Sequence, residues 1–256
     1  MTIDKPADRQ ISQLRDLWRE AFGDSGEFLD AFFHTAYSPK RSLCVLDGTK
    51  VAAAVYWFDC ELQGKKIAYL YALATAIAYR GKGIAHKLMD EVHSHLLQQC
   101  YEAVILVPGT EDLAAFYEAM GYSSCAPMAE FVCAGAPDAV QLRRATPEEY
   151  AQQRRYLFSL LEPAGVIQEG ENLAFLAAQA ELYIGQNLLL AAYGQGDTLV
   201  GIEFLGETQM ASGIVQALGY AKGSFRTRGQ GRNFAMYRPL RESAPSAPAY
   251  FGLAFD

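Results

Sequence analysis

Residues 66–86 constrain this chain most. An apolar, aromatic run, KIAYLYALAT (66–75), reads as a strand. After a short break comes Arg80-Gly81-Lys82-Gly83, and then a long helical pattern with Ile84, Leu88, Val92, His95 and Leu96 on one side. A strand, a glycine turn and a helix in this order make an anion site. Gly81 and Gly83 let the backbone turn tightly and approach a ligand closely. The free amides and the dipole at the helix start favour negative charge, and Arg80 and Lys82 add full positive charges. A pyrophosphate fits that description. A P-loop requires GxxxxGK[ST], whereas Lys82 is followed by Gly83. The dinucleotide fingerprint fails at His86, its third position, and the strand comes fourth among the elements rather than first. The bland alternative is a glycine-rich turn carrying two exposed cations.

The surrounding chain has room for a core. It has 256 residues, 51% of them hydrophobic and 20% charged, the balance of one large or two small folded domains rather than of a disordered chain. The formal net charge of −7 argues against general nucleic-acid or anionic-membrane partners. No apolar run approaches the roughly 20 residues of a membrane span, and the polar start MTIDKPADRQ lacks the core of a secretion signal. Cys44, Cys60, Cys100, Cys125 and Cys133 are scattered and odd in number. They read as small buried hydrophobes in a reducing cytoplasm. His93 and His95, two apart on a helix, face different ways, and no metal site is expected.

The order of elements is legible in outline. Helical spacing covers Ile11–Phe22 with Gly23 as the stop, and Phe28, Leu29, Phe32 and Phe33 mark a second helix. Asp47-Gly48 sits inside a hairpin over 42–62. EAVILVP (102–108) is a buried strand, 110–122 a helix capped by Thr110 and stopped by Gly121, and 128–134 a strand. After a linker at 134–140, helices are expected over 142–161 and 171–182, strands over 187–193 and 198–205, a helix ending in IVQALGY (214–220), and a strand near 234–240. IVQALGY echoes FYEAMGY (116–122), which leaves open an internal repeat or a coincidence of helix endings. From Lys222 to Arg241 there are six cations and no carboxylate. That stretch reads either as a solvated loop with an edge strand or as a contact for an anionic ligand group.

The loop does not stand alone. YALATAIAYRGKGIAHKLMDEV (71–92) resembles the acetyl-CoA motif of the GCN5-related N-acetyltransferases (GNAT), [Q/R]-x-x-G-x-[G/A], with Arg80, Gly83 and Ala85 at its fixed positions. AVILVPGTEDLAAFYEAMGY (103–122) resembles the second motif of that family, and the likeness covers about residues 8–135. The resemblance implies an α/β fold with a mixed central sheet of acyl-CoA N-acyltransferase type over residues 1–136. A second, smaller, degenerate GNAT-like domain without the loop follows over 141–256. It implies acetyl-CoA as donor and no metal. Leu73, Ala74 and Thr75 would pair with the pantetheine, and the strands over 66–75 and 102–108 would splay apart around it. The amides of Arg80, Gly81, Lys82, Gly83, Ile84 and Ala85 would hold the pyrophosphate, and an N–H at Ala74 or Thr75 would face the oxyanion. Tyr117 would protonate the departing CoA thiolate. Many relatives carry an acidic base late on the first of these strands, where this chain has Tyr69 to Leu73. Asp59, Glu61 or the C-terminal carboxylate of Asp256 would serve instead, or no base at all. The acceptor implied is a small-molecule or peptide amine, with the net negative charge favouring a polyamine, an aminoglycoside-like amine, a lysine or an N-terminus. A non-catalytic acyl-CoA sensor and a different acyl donor, such as aminoacyl-tRNA, are the competing readings.

Overall fold

The computed structural model describes residues 1–138, 140–160 and 165–255. They form two compact, interleaved units. The first comprises Met1–Cys60, Gly64–Leu106 and Arg238–Pro245, and the second Glu61–Gln63, Val107–Tyr237 and Ser246–Asp256.

The elements of the first unit are β1 (Thr2–Asp4), α1 (Ile11–Phe22), α2 (Gly26–Thr35), β2 (Ser42–Asp47), β3 (Lys50–Leu62), β4 (Lys65–Thr75), α3 (Ile84–Gln98) and β5 (Ala103–Leu106). Strands are ordered β1-β2-β3-β4-β5. β1 and β2, and β2 and β3, are antiparallel, whereas β4 and β5, joined through α3, are parallel. Local chemistry sets the ends. Gly23 takes the left-handed conformation (φ 75°) that closes α1, and the Ser25 hydroxyl caps α2 by accepting from the Phe28 N–H. α3 buries Ile84, Leu88, Met89, Val92, His93 and Leu96. The helical stripe expected through His95 therefore runs through His93 instead, two residues or about 200° round the helix. Arg238 donates to His93 Nδ1. Burial first, and the Arg238 charge second, push the imidazole down to about 4, so it stays neutral and accepts.

The segment after Pro239 also closes this unit. Arg241 donates to the Leu97 carbonyl (2.6 Å) at the C-terminal end of α3, and Ser243 Oγ donates to Glu102 Oε2 (2.6 Å). Residues from the far end of the chain thus complete the unit that holds the glycine loop.

The second unit holds α4 (Glu111–Ala119), β6 (Ser123–Ala134), β7 (Leu142–Arg144), α5 (Pro147–Ser159), β8 (Ile167–Gln168), α6 (Glu171–Ala177), β9 (Glu181–Gly185), β10 (Leu188–Gln195), β11 (Thr198–Leu205), α7 (Ala211–Ala217), β12 (Lys222–Arg228) and most of β13 (Arg232–Pro239). Its strand order is β13-β6-β12-β11-β10-β9-β7. Three expectations are corrected. The helix expected from 142 starts at Pro147, where Thr146 and Glu149 form a reciprocal capping box, and Leu142–Arg144 pair with β9. The helix expected over 171–182 stops at Ala177, because the apolar run Leu182–Ile184 pairs with β10. The cation-rich stretch contains β12, an interior strand between β6 and β11, not an edge.

Those cations are used locally. Arg226 and Arg232 flank Glu130 (3.7 and 3.3 Å) and lie over the Phe234 ring, while Lys222 pairs with Asp197 (3.4 Å). None of the five cysteines forms a disulfide among the described residues.

β7–β9–β10–β11 are successive antiparallel neighbours, and β11 continues through α7 to the parallel β12. Apart from the two-residue β8 between α5 and α6, a short strand, two helices, three neighbouring strands, a helix and a parallel strand occur in the same order in both units.

Candidate active site

The loop between β4 and α3 is held from several sides. The Ala76 N–H donates to the Ala52 carbonyl (2.9 Å), the Ile77 N–H to Glu20 Oε1 (3.2 Å), and the Tyr79 hydroxyl to Asp47 Oδ2 (3.0 Å). Arg80 Nε folds back on the Thr75 carbonyl (2.9 Å), and Lys82 Nζ on the Ala78 carbonyl (2.8 Å), beside the Tyr79 ring. Gly81 and Gly83 both adopt left-handed φ (73° and 71°), and a Cβ built on either meets nothing within 4 Å. These glycines are required by backbone conformation, and the space above them is open.

Gly83 is the N-cap of α3 and offers no side-chain cap; the first intrahelical bond is Lys87 N–H to the Gly83 carbonyl (3.2 Å). The amides of Ile84 and Ala85 precede that bond and have no partner within the helix. Two cations, an uncapped helix start and open space meet at one place, which is what an anionic phosphate group needs.

The strand leading to the loop supplies a second feature. β4 pairs with β5 only at Ile67–Ala103, Ala68–Val104 and Tyr69–Ile105, yet β4 runs on to Thr75. Leu70 to Thr75 thus extend past the end of their pairing with β5 and leave an edge on that side for an extended ligand with amide groups. Within this stretch Ala72 takes φ 51°, a left-handed residue inside a strand. That conformation costs a non-glycine residue on the order of 1 kcal/mol and re-aims the amides that follow it. Nothing in the sequence signals it. Leu73, Ala74, Thr75 and Arg80 to Ala85 thus lie together in the first unit, and the cradle fits the pyrophosphate and pantetheine of a CoA thioester.

Tyr117 belongs to α4, in the second unit. Thr110 caps that helix through the Leu113 N–H (3.2 Å), and Gly121 (φ 83°) follows it. Tyr117 is 7% exposed, packed edge-on against Phe116 and Tyr122, and its hydroxyl makes no hydrogen bond among the described residues. Burial alone pushes the phenol up to about 12.

The carboxylates considered as bases are engaged. Asp59 accepts from the Tyr101 hydroxyl and faces Lys66 (3.7 Å) and Arg41 (3.9 Å). Glu61 faces Arg155 (3.5 Å). Asp256 lies outside the described residues. Among the described residues, no group of three or more His, Cys, Asp or Glu is placed to hold a metal ion, and no helix is long and apolar enough to cross a membrane.

Residues 2–125 match the family model of the acetyltransferase (GNAT) domain. This stretch is similar to a GNAT domain. The match spans both the glycine loop and Tyr117. No curated protein matches the chain in sequence. Among solved structures, a GCN5-related N-acetyltransferase from Anabaena variabilis superposes with a TM-score of 0.75 at 14% identity, over 94% of this chain and 73% of that one. A GCN5-related N-acetyltransferase from Kribbella flavida gives 0.70 at 15%, over 93% and 72%. Eis1 from Mycobacterium abscessus gives 0.65 at 11%, over 94% and 74%. At such identities the likeness shows the fold, and it extends well beyond residues 2–125 into the second half.

Proposed function

We propose that the protein is a cytoplasmic N-acetyltransferase that transfers acetyl from acetyl-CoA directly to a primary amine. The observation that carries this reading is the open, doubly cationic cradle at Arg80–Ala85 beside the end of β4 that runs beyond its pairing with β5. The pyrophosphate meets the amides of Gly81 to Ala85, and the pantetheine adds to the edge at Leu73–Thr75. An N–H at Ala74 or Thr75 faces the thioester oxygen as it becomes negative.

The neutral amine attacks the thioester carbon, the C–S bond breaks, and the amine nitrogen loses its proton to water. No carboxylate base is assigned, since Tyr69 to Leu73 offer none and Asp59 is already ion-paired. Tyr117 gives its phenolic proton to the leaving thiolate and recovers one from solvent. A phenol at about 12 is a weak acid for a thiolate whose ordinary value is about 8.5. The transfer is downhill enough only in a water-poor site, where the departing thiolate is itself more basic. Tyr117→Phe removes the proton and keeps the ring. Its kcat should fall roughly 10²-fold, with CoA affinity unchanged. Steady-state rates beside calorimetric CoA titration check this, and an unchanged rate would take Tyr117 out of the mechanism.

The second unit is best read as a degenerate copy. It repeats the element order of the first, but the β11–α7 connection, Gly206-Glu207-Thr208-Gln209-Met210, carries no cation and no second glycine. The sensor reading draws support from the missing acid on β4, and turnover with any amine excludes it.

A further inference from the structure

The notable surplus around this site is aromatic. Tyr71 of β4 touches Trp18 of α1 (ring centroids 5.6 Å apart), Phe32 of α2 (5.9 Å), Phe58 of β3 (5.6 Å) and Tyr69 (5.9 Å). From Trp18 the rings continue to Phe28 (6.3 Å) and Phe33 (6.4 Å), and from Phe33 to Tyr37 (4.9 Å). Trp18, Phe32, Phe58 and Tyr69 are buried, as core rings are. Phe28, Phe33, Tyr37 and Tyr71 are only half-buried. The cluster therefore reaches the surface as a wall of ring faces and edges.

Its place on β4 matters. Four strand residues, roughly 13 Å, separate Tyr71 from Thr75, where the anion loop begins. A pantetheine that starts at the loop and runs back along the free edge of β4 carries its reactive end toward Tyr71.

Most of the nearby carboxylates already hold partners. Of the five carboxylates between Ile11 and Thr35, four are engaged. Asp24 accepts from the Trp18 indole (2.7 Å), Asp16 pairs with Arg19 (3.2 Å), Asp30 pairs with Arg15, and Glu20 accepts the Ile77 N–H. Glu27 remains, exposed in the first turn of α2. Arg15 also stands over the Phe33 ring at 5.3 Å, its charge met by Asp30. The wall therefore offers an acceptor chiefly ring faces and edges, against which a flat ring packs better than an aliphatic chain.

We propose that the acceptor is a monoamine carried on a flat aromatic body, with Tyr71 as the residue that sets this preference. The proposal rests on the acetyltransferase reading above. It runs against the polyamine-like acceptor that net charge alone favours: the local wall, not the global field, decides which amine stays.

The test is an acceptor panel with acetyl-CoA and full-length protein: tryptamine and phenethylamine against spermidine and putrescine. The aromatic amines should exceed the aliphatic ones by about ten-fold or more in kcat/KM, the scale of one or two ring contacts. Tyr71→Leu should erase most of that ratio, chiefly through the KM of the aromatic amines, and Tyr71→Phe should keep it. Phe28→Glu places an acid on the wall at a helix start that tolerates one, and should narrow the ratio from the other side. It also keeps the test open if Tyr71→Leu does not fold. Spermidine used as well as tryptamine, or a ratio indifferent to both substitutions, would overturn the proposal. Acetyl-CoA titration in parallel separates two failures. Binding without turnover of either aromatic amine overturns the acceptor class alone, and absence of binding overturns the acetyltransferase reading with it.

Discussion

Gly83→Glu is expected to abolish acetyl-CoA binding, with an affinity loss of about 100-fold or more. Two effects add. Gly83 sits at φ 71°, where a side chain costs on the order of 1 kcal/mol. The larger effect is electrostatic. Gly83 is the N-cap of α3 and the space above it is open, so a glutamate there puts a carboxylate where a pyrophosphate would lie. Gly83→Ala separates the two, since it carries the backbone strain without the charge. It should bind within about ten-fold of the parent. Calorimetry on both variants checks this. Equal losses in the two would assign the effect to strain, and undiminished binding by Gly83→Glu would make the loop only a turn.

Glu203→Gln is expected to destabilise the second unit by about 3–5 kcal/mol, the usual cost of removing one partner from a buried ion pair. Glu203 of β11 is fully buried, and Arg154 of α5 is 1% exposed. Arg154 reaches Glu203 through Nε and NH2 (3.0–3.1 Å) and donates NH1 to the Val166 carbonyl (2.8 Å). The remaining carboxylate capacity is filled by the hydroxyls of Tyr150 (2.8 Å) and Tyr250 (3.1 Å). Gln168 ties the same centre to the tail by donating to the Leu253 carbonyl (2.6 Å). A Cβ on Gly252 would come within 2.0 Å of Glu203 Oε1, so the tail packs against the pair with no room for a larger residue.

Glutamine keeps the shape and removes the charge, leaving a guanidinium buried without compensation. Thermal unfolding should show the transition of this unit lowered by about 10 °C or more. Arg154→Met combined with Glu203→Leu should recover much of the loss, because replacing both partners removes the uncompensated charge. A shift of only a degree or two for Glu203→Gln would mean that the pair contributes little.

The legible parts of this fold are those governed by short-range chemistry. Gly23, Asp47-Gly48, Thr110 and Gly121 each mark a boundary through a local conformational requirement, and the structure places a boundary at each. The glycine loop was readable for the same reason: left-handed φ at Gly81 and Gly83 is a property of single residues. The misread elements depend on pairing. Leu142–Arg144 and Leu182–Ile184 are too short to declare themselves against helical neighbours, and become strands because β9 and β10 are there to pair with. Lys222–Arg228 buries Gly223, Phe225 and Thr227 with a period of two, but its three cations conceal the alternation. The left-handed Ala72, the interleaving of 238–245 with the first unit, and the aromatic wall are products of tertiary assembly. No local window contains them.

The central claim is that the Arg80–Ala85 loop and the free end of β4 hold acetyl-CoA. Calorimetric titration of the full-length protein with acetyl-CoA, with NAD as the control, tests it most directly. The account predicts one-site micromolar binding of acetyl-CoA and none of NAD. No heat with acetyl-CoA, or equal binding of NAD, would contradict it.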